Sequence, residues 1–112
     1  SLRIAGTYSI SGYDGWEDFE DDQYTGVDHH SLTMVIEAKG ENSLTMKVVG
    51  LDGTISINNY DQTTGKCSVT DTDGTVVHFS FSESGTSISF NMNYDQTFED
   101  GRAYGSYSGT KN

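Results

Sequence analysis

Eight stretches of the chain alternate apolar and polar residues with a period of two, the pattern of strands with one buried face. The first sets Ile4, Gly6, Tyr8 and Ile10 against Ala5, Thr7 and Ser9. The second sets Leu32, Met34, Ile36 and Ala38 against Thr33, Val35 and Glu37. Leu44, Met46 and Val48 make the third apolar face, Ile55 and Ile57 the fourth, and Cys67 and Val69 the fifth. Val77, Phe79 and Phe81 follow, then Ile88, Phe90, Met92 and Tyr94, and finally Ala103, Gly105 and Tyr107.

Short turn sequences separate most of these strands: "KGEN", "GLDG", "DTDG" and "SESG". Proline is absent, so Gly, Asn and Asp must make the turns. Successive hairpins give an antiparallel meander. A meander with one wet face buries the other by closing into a barrel or by folding over as a sandwich. Short connections favour the barrel. The expected fold is all-β: an eight-stranded antiparallel up-and-down barrel, with residues 1–112 forming a single domain.

One connection departs from the pattern. "YDGWEDFEDDQYTGVDHH", from Tyr13 to His30, reads as a long acidic first loop, and loops of that length in a compact domain usually carry function. It holds Trp16, Phe19 and Tyr24 among Glu17, Asp18, Glu20, Asp21 and Asp22. These aromatics would either anchor the loop on the barrel edge or gate one end as a lid.

A first strand bearing Gly6-Thr7-Tyr8, one large loop and then seven strands in short hairpins resembles the calycins. These are the lipocalin, fatty-acid-binding-protein and avidin-like barrels. The lipocalin first strand carries Gly-x-Trp; Gly6 matches, and Tyr8 stands at the Trp position. The resemblance implies a first loop that partly covers the open end. It also implies Arg102 as the cation laid over that aromatic. The chain is shorter than a typical lipocalin and lacks its C-terminal helix and disulfide. It is most similar to small lipocalin-like domains exported by bacteria.

Charge narrows the functions. Seventeen acidic residues against six Lys and Arg give a formal net charge of −11, which repels nucleic acid and anionic membranes. No apolar run reaches the roughly 18 residues of a membrane span. Low Lys content with abundant Ser, Thr, Asn, Gly and Tyr suggests an exported protein, periplasmic or at the cell surface, with a lipid anchor ahead of Ser1 left open. Cys67 is the single cysteine, so an intrachain disulfide is excluded, and its place beside Val69 suggests packing rather than nucleophilic chemistry. His29 and His30, being adjacent, would point to opposite faces of a strand and chelate poorly. No phosphate-binding, dinucleotide or nucleophile-elbow motif is present. No catalytic residue, metal or cofactor is assigned, and the chain reads as a non-enzyme.

An up-and-down meander places the first loop and the turns after the third, fifth and seventh strands at one end. That end gathers Asp14, Glu17, Asp18, Glu20, Asp21, Asp22, Asp28, Asp52, Asp71, Asp73, Asp95, Glu99 and Asp100. Such a rim is either a solvated surface or a site for Ca²⁺ or a basic partner. The pentapeptide "NYDQT" occurs at 59–63 and again at 93–97. The copies fall at opposite ends, so each Asp is expected to cap its own turn.

An eight-stranded barrel is wide enough to be filled by its side chains or to hold one small ligand. Tyr8, Met34, Ile36, Met46, Phe79, Phe90, Met92 and Tyr107 would line the interior. Gly6, Ala103 and Gly105, on the first and last strands, would leave a pocket or accommodate bulky neighbours. The expected function is binding of a small apolar or amphipathic molecule inside the barrel, gated by Trp16, Phe19 and Tyr24. The alternative is a cell-envelope module with a solid core that contacts a protein or glycan.

Overall fold

The computed structural model describes residues 3–112. Its strands are β1 (Gly6–Asp18), β2 (Gly26–Ala38), β3 (Leu44–Val48), β4 (Ile55–Ile57), β5 (Lys66–Thr70), β6 (Val76–Ser84), β7 (Ser87–Thr97) and β8 (Gly101–Lys111). They form one antiparallel sheet in the order β4-β3-β2-β1-β8-β7-β6-β5. Pairing of β1 with β8 closes the meander into a barrel-like sheet. The cylinder is split at one place. Between β4 and β5 the ladder is missing, and a single bridge joins Asp61 to Lys66. No helix among the described residues is long and apolar enough to cross a membrane.

The alternating apolar residues point inward as their period requires. Tyr8, Met34, Ile36, Leu44, Ile57, Ile88 and Phe90 are all buried. At the end where β1 begins and β8 finishes, aromatic rings plug the barrel. Phe81 stands 5.3 Å from Phe90, 5.8 Å from Tyr8 and 6.0 Å from Tyr60, centre to centre. Tyr8 keeps its hydroxyl satisfied in that plug by donating to the Ile4 carbonyl at 2.7 Å. Burial, with smaller contributions from Tyr60 and Glu83, raises its phenol pKa well above the ordinary range. Two glycines let β1 and β8 close the seam. A methyl group on Gly109 would sit 1.9 Å from the Ser9 carbonyl oxygen, and one on Gly12 equally near that of Ser106.

The expected long first loop is mostly strand. Tyr13 pairs with His29, Asp14 with Asp28, Gly15 with Val27 and Trp16 with Gly26, leaving only Phe19–Thr25 as a tip. The reason is physical. Beyond Thr33, β2 has no β3 partner, and beyond His78 β6 no longer accompanies β7. The strands β2-β1-β8-β7 therefore rise past the barrel as a ribbon, and the molecule measures 47 × 27 × 24 Å. With both faces wet, the ribbon has no apolar alternation to betray it, while its backbone ladder continues unbroken.

Acidic side chains build the tip. Asp18 accepts from the backbone N–H groups of Glu20 and Asp21, both at 2.9 Å, and these bonds hold its carboxyl below the usual range. Asp21 accepts from the N–H of Gln23. Asp61 caps its own turn through the N–H of Thr63 at 2.8 Å, as the repeat suggested. Its counterpart does not. Asp95 lies within the β7–β8 ladder opposite Tyr104, and it binds Arg102 instead.

Arg102 is also displaced from its expected role. Because β8 begins at the rim, Arg102 pairs with Glu17 and Thr97 at the top of the ribbon, remote from Tyr8. Its guanidinium grips both oxygens of Asp95 at 2.8 and 2.7 Å and lies 4.5 Å over the Tyr104 ring. The residue in register with Tyr8 on β8 is Lys111.

Candidate functional site

Above the aromatic plug the barrel is hollow. A cavity of about 590 Å³ opens at the mouth, on the side of the β3–β4 and β5–β6 turns. Its wall is largely apolar, with Met34, Met46, Val48, Phe79, Phe90 and Met92 on the strands and Leu51 and Ile55 at the lip. The volume falls within the roughly 300–1,000 Å³ typical of small-molecule sites.

Six of the residues expected to line the interior do so: Met34, Met46, Phe79, Phe90, Met92 and Tyr107. Tyr8 and Ile36 belong to the plug beneath, fully packed. The three expected gate residues lie apart from the cavity. Trp16 rests on Gly101, where a methyl group would come 2.3 Å from its ring, and its ring centre is 6.3 Å from that of Phe98. Phe19 and Tyr24 sit on the ribbon tip, 50% and 63% exposed. The ribbon is a wall rising beside the mouth, and these aromatics do not cover it.

One polar constellation breaks the apolar wall. Asp14, on the inward face of β1, is in register with Gly105 of β8, and Gly105 is in register with Tyr94 of β7. A side chain at the middle position would separate the outer two. Gly105 has none, and the Tyr94 ring lies across it: a methyl group there would come 2.4 Å from the ring. Tyr94 thereby reaches over β8 and donates its hydroxyl to Asp14 Oδ1 at 2.5 Å. Tyr107, in register with Gly12, reaches along the diagonal and donates to Asp14 Oδ2, also at 2.5 Å. Diagonal neighbours on one sheet face lie within reach of a long aromatic side chain.

Both phenols are fixed as donors. Burial first, then the bond to Asp14 and the charges of Asp14 and Asp28, push Tyr107 up to about 12. Burial and the bond to Asp14 carry Tyr94 higher still. Asp14 accepts on both oxygens, the hydrogen-bonding pattern of an ionised carboxylate. Among the described residues no Lys, Arg or His forms an ion pair with it.

The seam of small residues thus accommodates bulky neighbours: Gly105 receives Tyr94, and Gly101 receives Trp16. Gly6 lies at the opposite end beside Lys111, and Ala103 faces Trp16 in register. Sequence reasoning missed Asp14 and Tyr94 as members of one site. Their alignment through a glycine exists only once the β1–β8–β7 register is known.

The remaining chemistry is sparse. Cys67 is buried in the core, and burial pushes its thiol up to about 11. His29 stacks near Tyr13 on the outer face, ring centres 6.0 Å apart. Among the described residues no three His, Cys, Asp or Glu side chains are placed together to hold a metal ion. Compared with known protein families, curated proteins and solved structures, the chain finds no match.

Proposed function

We propose that the protein is a non-enzymatic, lipocalin-like binder of a small amphipathic molecule held in the barrel mouth. The observation that carries this reading is the half-filled interior. Aromatic side chains pack the lower barrel, while the upper barrel keeps about 590 Å³ of open space against apolar walls. An apolar body would be buried against Met34, Met46, Phe79 and Met92, at roughly 25 cal/mol for each Å² removed from water. The polar end would meet Asp14 and its two phenols.

The test is a titration of isotope-labelled protein with octan-1-ol, followed by backbone NMR. Binding in the mouth shifts the amides of Met34, Met46, Val48 and Phe79. Shifts confined to the outer wall, or none at saturation, would sink the reading.

A second reading has its own observation. Phe19 and Tyr24 are exposed at the ribbon tip among Glu20, Asp21 and Asp22, the arrangement of an acidic, aromatic contact surface for a basic partner at the cell envelope. Reversing the charges across Glu17–Asp22 would abolish such a contact and leave a guest in the barrel mouth undisturbed.

A further inference from the structure

Resting on the reading of the mouth as a binding cavity, we infer that its guest carries a protonated amine, received by the Asp14 carboxylate that Tyr94 and Tyr107 hold in place. Three observations converge on that head group.

The first is charge. The charged residues lining the cavity are Asp14, Asp52 and Asp71, and no Lys, Arg or His lines it. A fatty acid would bring its carboxylate against three others.

The second is the missing counter-ion. Asp14 stands at the edge of a largely apolar wall with two phenols as partners and no ion pair among the described residues. A partly exposed carboxylate at an apolar edge lacks a cation here, and a ligand ammonium would pair with it through charge-assisted hydrogen bonds.

The third is the direction of the hydrogen bonds. Tyr94 and Tyr107 each have one hydroxyl proton, and both protons are directed at Asp14. What remains on the phenol and carboxylate oxygens is acceptor capacity alone. A surface offering only acceptors selects a head that only donates. A primary ammonium has three donors and no acceptor, whereas an alcohol offers one donor and brings its own lone pairs. The constellation is therefore matched to an alkyl- or arylammonium whose apolar body fills the mouth.

The experiment compares octylammonium, octan-1-ol and octanoate, which share one apolar chain, by calorimetry or NMR titration at neutral pH and low salt. Octylammonium is expected to bind about tenfold or more tightly than the alcohol, the worth of a charge-assisted hydrogen bond in a partly wet site, with octanoate weakest. Asp14→Asn should bring the affinity for octylammonium down to that for the alcohol or below. Asp52→Asn and Asp71→Asn should keep most of it.

Equal affinity for ammonium and alcohol overturns the inference while leaving the cavity reading intact. Absence of binding by all three overturns the cavity reading itself. A preference that survives in folded Asp14→Asn assigns it to the general field of the rim and overturns the role of Asp14. If that variant does not fold, contacts in the unaltered protein decide. Nuclear Overhauser effects from the ligand's CH₂ next to nitrogen to the Tyr94 and Tyr107 rings support the site, and contacts to the Leu51–Ile55 lip alone refute it.

Discussion

Asp14 and Asp28 stand directly opposite one another across β1 and β2, on the face that continues upward from the cavity wall. Like charges in this position destabilise a sheet by roughly 0.2–1 kcal/mol. Asp28→Asn should therefore stabilise the protein by about that amount in urea denaturation, with the gain shrinking as salt is added. A loss of stability would show that Asp28 has a favourable contact outweighing the repulsion.

Gly105→Ala tests how the clamp is built. The added methyl group has no room beneath the Tyr94 ring, so the ring must swing off Asp14. Freed from burial and from that hydrogen bond, the Tyr94 phenol should titrate closer to the ordinary value near 10. Tyrosine absorbance or ring-carbon NMR across alkaline pH measures this, and an unmoved Tyr94 titration would contradict the cradle role of Gly105.

Gly109→Ala addresses the seam instead. Here the obstacle is backbone, the Ser9 carbonyl oxygen at 1.9 Å from the would-be methyl carbon, and no side-chain rotation relieves it. Forced separation of β1 and β8 should cost about 1–3 kcal/mol, the usual range for overpacking. Chemical denaturation gives the value, and a neutral substitution would mean that the two strands can part at little cost.

Stability should also fall in alkali. At pH well below 10 the Tyr107 phenol is protonated in both folded and unfolded chains and contributes no pH dependence. Between the unfolded value near 10 and the folded value of about 12, the folded protein retains a proton that the unfolded chain has lost. The stability present below that window is lost as pH rises through it, amounting to about 2–3 kcal/mol for this group. Tyr8 and Tyr94, raised likewise, add to the slope between pH 10 and 12, so Tyr107→Phe should lessen it by this group's share, measured by urea midpoints at successive pH values. An identical slope in the variant would show that Tyr107 is not among the groups that titrate in this window.

What could be foreseen from sequence follows from where water lies. Strands whose inner faces meet the core announced themselves, because Met34, Met46, Phe79 and Phe90 must alternate with polar neighbours. The ribbon did not, since Asp14, Trp16 and Asp28 lie beyond the core, where polarity ceases to track side-chain direction. The clamp was hidden for another reason. Asp14, Gly105 and Tyr94 are far apart in sequence and align only through two successive registers, which alternation leaves undetermined. Arg102 was misplaced by the same gap, because the end of the barrel at which a strand begins decides which aromatic its first cation can meet.

The absent ladder between β4 and β5 has a mechanical meaning. Strand number and stagger set the girth of a fully bonded barrel, and widening it would break a whole row of hydrogen bonds. Here the wall is a split collar, fastened near its closed end by the Asp61–Lys66 bridge and by hydrogen bonds between Asn59 and Ser68. Ile55 on β4 and Val69 on β5 face the hollow from either side of the slit. Spreading those two edges changes the bore while the other seven strand pairings stay intact. The width of the hollow is thus held by fewer backbone hydrogen bonds than in a fully bonded barrel.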